Sequence, residues 1–119
     1  MSKTFTTKDS GDKEEFTTGS QRDTQVGKTR YDLIPPLGLR RVADIYGRGA
    51  DKYDDWNWAK GQPYTRVYAS LFRHLMQWRN GDTDEDHMAA VAWAALCLLH
   101  FDETDRTDLD DRNEYMEQQ

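Results

Sequence analysis

The side chains best suited to chemistry fall into three groups. Lys28 and Arg30 stand beside Gly27, and Arg40, Arg41, Lys52, Arg66 and Arg73 follow along the chain. Together they offer enough cations to surround a triphosphate, and a guanidinium grips phosphate oxygens through paired hydrogen bonds. The plainer reading of the same cations is a solvated or ion-paired surface. Tyr53, Trp56, Asn57, Trp58 and Tyr64 form the second group. They bring flat π faces for stacking a base and an amide that can pair with a base or sugar edge. Against this, Trp56 and Trp58 could simply roof a small core.

The third group is Asp82, Asp84, Glu85, Asp86 and His87, carboxylates with an adjacent imidazole. Such oxygens suit Mg²⁺ or Mn²⁺, and hydrolysis of a phosphoanhydride needs a cation to offset its charge. The competing reading is helix capping: Thr83 with Asp86 three residues on is close to a capping box, and acids in a first turn complement the helix dipole. His74 shares a helix face with Arg66 and Arg73, which allows it a phosphate or metal role, whereas His100 reads as a packed histidine. Phosphate grip, base stacking and a metal cluster jointly point to a phosphorylated nucleotide as the ligand.

These groups must be carried by helices. Leu39, Val42, Ala43 and Tyr46 recur at helical spacing and predict a first helix closed by Gly47 and Gly49, with Pro36 near its first turn. The aromatic stretch from Ala50 to Tyr64 follows no period and predicts a short turn of helix followed by an irregular loop. From Thr65 a second helix is predicted, its apolar stripe being Tyr68, Leu71, Phe72, Leu75 and Trp78, and Asn80-Gly81-Asp82 ends it. Thr83 is the expected N-cap of a third helix, whose run from Met88 to Leu99 is apolar nearly all round and belongs at the centre of a bundle.

The flanks differ in kind. Residues 1–25 are polar apart from Phe5 and Phe16 and read as a flexible arm. Residues 26–101 read as the helical nucleotide-binding domain, in which Val26 to Pro36 positions Lys28 and Arg30. Residues 102–119 read as a separable acidic tail, whose eight acids against Arg106 and Arg112 account for the whole net charge of −6. Residues 1–101 are therefore neutral, their cations free to cluster.

A chain of 119 residues holds one domain. With 36% hydrophobic and 32% charged residues, part of it must be unfolded or its core completed by a partner copy. The expectation is an all-α bundle completed as a homo-oligomer, dimer or tetramer rather than monomer. The single cysteine, Cys97, lies in an apolar run and reads as a buried, inert thiol in a reducing compartment. Without a long apolar stretch no membrane partner is expected, the location expected is cytoplasmic, and no direct DNA binding is expected.

The blocks GKTRYDLIPP, GADKYDDWNWAKG and FRHLMQWRNGDTDED, the last followed by HMAAVAWAALCLL, stand in that order between Val26 and Leu99. In this the chain resembles the N-terminal-type domain of the phage dATP/dGTP diphosphohydrolases, which are similar in logic to the MazG-like all-helical nucleotide pyrophosphohydrolases. The resemblance implies hydrolysis of a purine deoxynucleoside triphosphate to the monophosphate and pyrophosphate, by a dimer or tetramer that uses a divalent metal in, for a phage-encoded protein, the host cytosol. The matching positions are Gly27, Lys28, Arg30 and Tyr31, then Gly49, Ala50, Lys52, Tyr53, Asn57 and Trp58, then Arg73, His74, Glu85 and His87. MazG-like enzymes use paired Glu-x-x-Glu and Glu-x-x-Asp motifs, whereas between Phe16 and Phe101 Glu85 is the one glutamate.

Two functions follow. In the first, Glu85 is catalytic and binds Mg²⁺ or Mn²⁺ with Asp84, with Asp44 as a further candidate acid, while Lys28, Arg30, Tyr31, Lys52, Tyr53, Asn57, Trp58, Arg73 and His74 hold the substrate. In the second, the same cations and rings sequester a cyclic or ADP-ribose-type signalling nucleotide without cleaving it, as an anti-defence sponge would. An acidic DNA mimic or pure interaction module draws only on the tail and ranks last.

Overall fold

The computed structural model describes residues 4–117 and divides the chain into two units, Met1–Ile34 and Pro35–Gln119. Residues 1–3 of the expected arm and 118–119 of the expected tail lie outside the described residues. Among the described residues, four α-helices, three 3-10 turns and one two-stranded sheet make up the regular structure, so the chain is mostly helical as the periodicity implies.

Within the first unit the polar segment forms a hairpin rather than featureless coil. Strand β1 (Lys13–Glu15) pairs antiparallel with β2 (Gln21–Asp23), setting Glu14 opposite Arg22. Gly19, at φ +87°, closes the turn by donating its N–H to the Phe16 carbonyl at 2.8 Å. Apolar content misses such a hairpin because backbone pairing and turn hydrogen bonds carry it. Asp23 binds the Ser10 hydroxyl, which holds its carboxyl down at about 2. A 3-10 turn follows at Tyr31–Leu33.

Pro36 begins helix α1 (Pro36–Lys52), where its fixed φ suits the first turn and its missing N–H costs nothing. The helix does not stop at Gly47 and Gly49. Glycine disfavours a helix interior by only about 1 kcal/mol relative to alanine, and packing overrides that. The face turned inward is Val42, Ile45, Tyr46 and Gly49, while Leu39 and Ala43 of the predicted stripe are exposed. A 3-10 turn at Asn57–Lys60 leads to α2 (Tyr64–Arg79).

The inward face of α2 is also rotated from the predicted one. Val67 is buried and Leu71, His74 and Leu75 are partly covered, whereas Tyr68, Phe72, Met76 and Trp78 are roughly half exposed. Helix α3 (His87–Glu103) packs against both α1 and α2 and supplies most of the core: Ala89, Ala90, Ala94, Cys97 and Phe101. Three alanines let neighbouring backbones approach. Its N-cap is Asp86, whose side chain accepts the Ala89 N–H, and not Thr83. The Arg41 guanidinium locks that cap with two hydrogen bonds of 2.6 and 2.8 Å and keeps the carboxyl below its ordinary range. Cys97 is buried, and burial pushes its thiol up, in keeping with an inert thiol.

The acidic segment is docked rather than separable through Asp111. After α3 a 3-10 turn (Thr107–Leu109) leads to α4 (Arg112–Glu117). The N-cap position of α2 is Pro63, which has no capping side chain. Asp111 takes over by accepting the Thr65 N–H at 3.0 Å and its hydroxyl. Arg106 donates to the Ala59 and Lys60 carbonyls, and the Arg112 guanidinium lies 5.5 Å from the Tyr64 ring centre. Net charge along the chain cannot reveal such caps, because they depend on which carboxylate meets which helix end.

Candidate functional site

Because α3 starts at His87 rather than Thr83, Asp84 and Glu85 lie in the loop before it, free to fold back. His87 occupies the first helical position and is 2% exposed. Its Nε2 lies 2.8 Å from Asp84 Oδ1, and its Nδ1 lies 2.8 Å from Nδ1 of His74 on α2. The imidazole contact is the largest factor holding the Asp84 carboxyl below its ordinary range, so Asp84 is an ionised acceptor. It follows that His87 Nε2 carries the hydrogen, and a neutral His87 ring directs a lone pair from Nδ1 at His74. One ligand atom each from His74, Glu85 and His87 lie within 4.8 Å of one another. Two nitrogens and a carboxylate oxygen so placed fit a divalent cation.

Of the expected site residues, the structure gathers His74, Asp84 and Glu85 around His87. Sequence reasoning gave His87 only the role of a neighbour to an acidic cluster. The signal that could have singled it out is its position directly ahead of the apolar run, where a helical residue turns towards the core, with Asp84 three residues before it. Asp84 hydrogen-bonds His87 instead of joining the three convergent ligand atoms. Arg73, next to His74, is exposed and makes no ion pair among the described residues. Asp44, the acid suggested on α1, is exposed and likewise unpaired among them, including with Arg48.

The expected base-binding residues lie at the far end of α1 and in the 3-10 turn after it. Lys52 holds its ammonium 5.3 Å from the Tyr53 ring centre, leaving the ring 59% exposed. Asn57 opens the 3-10 turn and is partly covered. Trp58 is engaged by the fold: its ring meets Tyr46 at 5.6 Å and His100 at 5.1 Å edge-on, and Phe101 at 6.3 Å. Trp56 is the freer ring, 71% exposed on a backbone with φ +63°. A bulky residue rarely adopts that left-handed conformation, and such strain concentrates at functional positions. Tyr64 stacks on Phe101 at 6.5 Å and is used by the fold as well.

The remaining expected residues belong to the first unit. Lys28 pairs with Asp23 at 3.3 Å, and Arg30 grips Asp32 through two hydrogen bonds of 2.9 Å. Tyr31 is exposed beside them.

No helix among the described residues is long and apolar enough to cross a membrane. No curated protein and no solved structure matches the chain. The model of one protein family, described as dATP/dGTP diphosphohydrolase, N-terminal, matches residues 18–112. That span holds the three sequence blocks, the His74, Glu85 and His87 group, and the Asp111 clasp, and on it the chain belongs to the dATP/dGTP diphosphohydrolase N-terminal family.

Proposed function

We propose that this protein hydrolyses a purine deoxynucleoside triphosphate to the monophosphate and pyrophosphate. The observation that carries the reading is the convergence of Glu85 with two imidazoles, in a chain of the dATP/dGTP diphosphohydrolase N-terminal family. In the reaction a water oxygen bonds to the α-phosphorus, the bond from that phosphorus to the α,β-bridging oxygen breaks, and pyrophosphate leaves with the bridging oxygen. Glu85, exposed and aimed at the cluster, accepts the proton that the water sheds. Arg73 binds phosphate oxygens, and Tyr53 and Trp56, which stand about 20 Å from the cluster at the other end of α3, stack the base of a nucleotide whose phosphates a partner copy's cluster holds. His74, Glu85 and His87 would hold a divalent ion, Mg²⁺ or Mn²⁺ among the candidates, which would supply positive charge against the triphosphate.

The functional form is a homo-oligomer. The protomer's buried side chains are mostly small, and Tyr68, Phe72 and Met76 leave one row of α2 half exposed. A partner copy covering that row would complete the core.

Incubation with dATP, dGTP, pyrimidine dNTPs, NTPs and cyclic nucleotides, with divalent metal or with chelator, tests the activity. The expected result is metal-dependent formation of dAMP or dGMP with pyrophosphate, resolved by chromatography. Intact nucleotide depleted from solution and recovered on denaturation would overturn hydrolysis in favour of sequestration.

A further inference from the structure

We infer that His74, Glu85 and His87 form a three-ligand site for a divalent first-row transition ion, in the order Mn²⁺ to Zn²⁺, in preference to Mg²⁺, with Asp84 as the positioning residue of His87. This goes deeper into the cluster used above, naming which ion its atoms select.

Donor chemistry is the first argument. Mg²⁺ favours oxygen ligands and parts with its waters reluctantly, whereas imidazole nitrogens suit Mn²⁺, Fe²⁺, Co²⁺, Ni²⁺ and Zn²⁺. Here two of the three convergent atoms are nitrogens. The second argument is orientation. Asp84 accepts from Nε2 of His87 at 2.8 Å, so the opposite nitrogen presents its lone pair, the carboxylate–histidine arrangement that makes an imidazole a better metal ligand. His87 is nearly fully buried at the head of α3, which fixes the ring.

Spacing is the third argument. Two nitrogens about 2.1 Å from one ion lie about 3.0 Å apart when adjacent in an octahedron and about 3.4 Å apart in a tetrahedron. The Nδ1 atoms of His74 and His87 lie 2.8 Å apart, so a small outward movement, with the His74 hydrogen carried on its Nε2 instead of Nδ1, reaches the octahedral value. Two histidines and one carboxylate on one face of an octahedron leave three positions for oxygens of water or phosphate. Glu85 and His74, which are less buried than His87, line the open side.

Calorimetric titration of the full-length, chelator-stripped protein with Co²⁺, Mn²⁺ and Mg²⁺, without nucleotide, tests the site, together with the visible absorption of the Co²⁺ form. One Co²⁺ per chain is expected, with the weak bands of six-coordinate cobalt, and a hundredfold excess of Mg²⁺ should not displace it. His74→Ala and Glu85→Gln should each weaken Co²⁺ binding at least about tenfold while circular dichroism is unchanged. Asp84→Ala should weaken binding with the cobalt bands kept in place. Absent Co²⁺ binding, displacement by equimolar Mg²⁺, or unaltered affinity in His74→Ala would overturn the inference. Since no nucleotide is present, Co²⁺ binding in a protein that cleaves no dNTP would refute the hydrolytic reading and leave the metal site standing.

Discussion

The Nδ1 atoms of His74 and His87 face one another at 2.8 Å, one from the middle of α2 and the other from the first position of α3. The loop between these helices, residues 80–86, therefore carries its acids directly past two imidazoles. Asp84 orients one ring, Asp86 caps the helix under the grip of Arg41, and Glu85 is left with its carboxylate beside both rings. Three adjacent acids thus stand in three different settings, and a capping role for Asp86 leaves Glu85 beside the imidazoles.

The Asp111 clasp gives a pH dependence. Hydrogen bonds from Thr65 hold the Asp111 carboxyl below the ordinary 3.8, so the folded state favours its ionised form. The clasp's contribution is complete above the unfolded value and is lost as pH falls through the lowered folded value. Acid denaturation followed by circular dichroism should show wild type losing stability below about pH 4 more steeply than Asp111→Asn, which lacks this titration. At neutral pH Asp111→Asn should melt at a lower temperature than wild type.

Gly61 sits under the docked segment at φ +98°, and a Cβ there would lie 2.7 Å from an Arg106 nitrogen and 2.8 Å from a Leu109 methyl. Gly61→Ala should cost about 1–3 kcal/mol, combining left-handed strain with displacement of both side chains. Urea denaturation measures it, and truncation after Phe101, which removes Arg106 and Leu109, should leave only the strain part of that cost.

The two tryptophans of the aromatic loop should separate cleanly. Trp58→Ala removes contacts to Tyr46, His100 and Phe101 and should destabilise the fold by about 2 kcal/mol or more. Trp56→Ala should change stability by less than about 0.5 kcal/mol and weaken nucleotide binding by about 1–3 kcal/mol, the worth of a stacked base. Parallel denaturation and nucleotide-binding titrations distinguish the two.

Self-association should run through the half-exposed row of α2. Light scattering is expected to give the mass of a dimer or tetramer for wild type and a smaller mass for Phe72→Glu, since Phe72 lies between Tyr68 and Met76 on that row. A monomeric wild type, or an unchanged Phe72→Glu assembly, would remove this face from the account.

The helices were legible because an apolar period survives any local disturbance: α2 and α3 lie within a few residues of a helix expected from Thr65 to Asn80 and of one expected after Thr83 around the run Met88 to Leu99. Which face of each helix turns inward was less so. Tyr68 and Phe72 look like core by type, yet the smaller Val67 is the buried residue, because the close neighbour is the alanine-rich α3. Glycine stops mislead in α1 since tertiary packing outweighs propensity. The site was half legible: residue types named His74, Asp84 and Glu85, but only the start of α3 decides that Asp84 turns to His87. Asp111 escaped notice because its partner, the end of a helix begun after a proline, lies 46 residues away.

In the proposed function the Glu85 carboxylate beside the two imidazoles drives cleavage of a purine deoxynucleoside triphosphate. The most direct test is the turnover of dGTP and dATP by wild type and Glu85→Gln at matched concentration and saturating divalent metal, with folding checked by circular dichroism. Loss of the proton acceptor should lower turnover by a factor of about 10²–10⁴ while the fold is retained. Equal turnover by the two proteins would contradict the account.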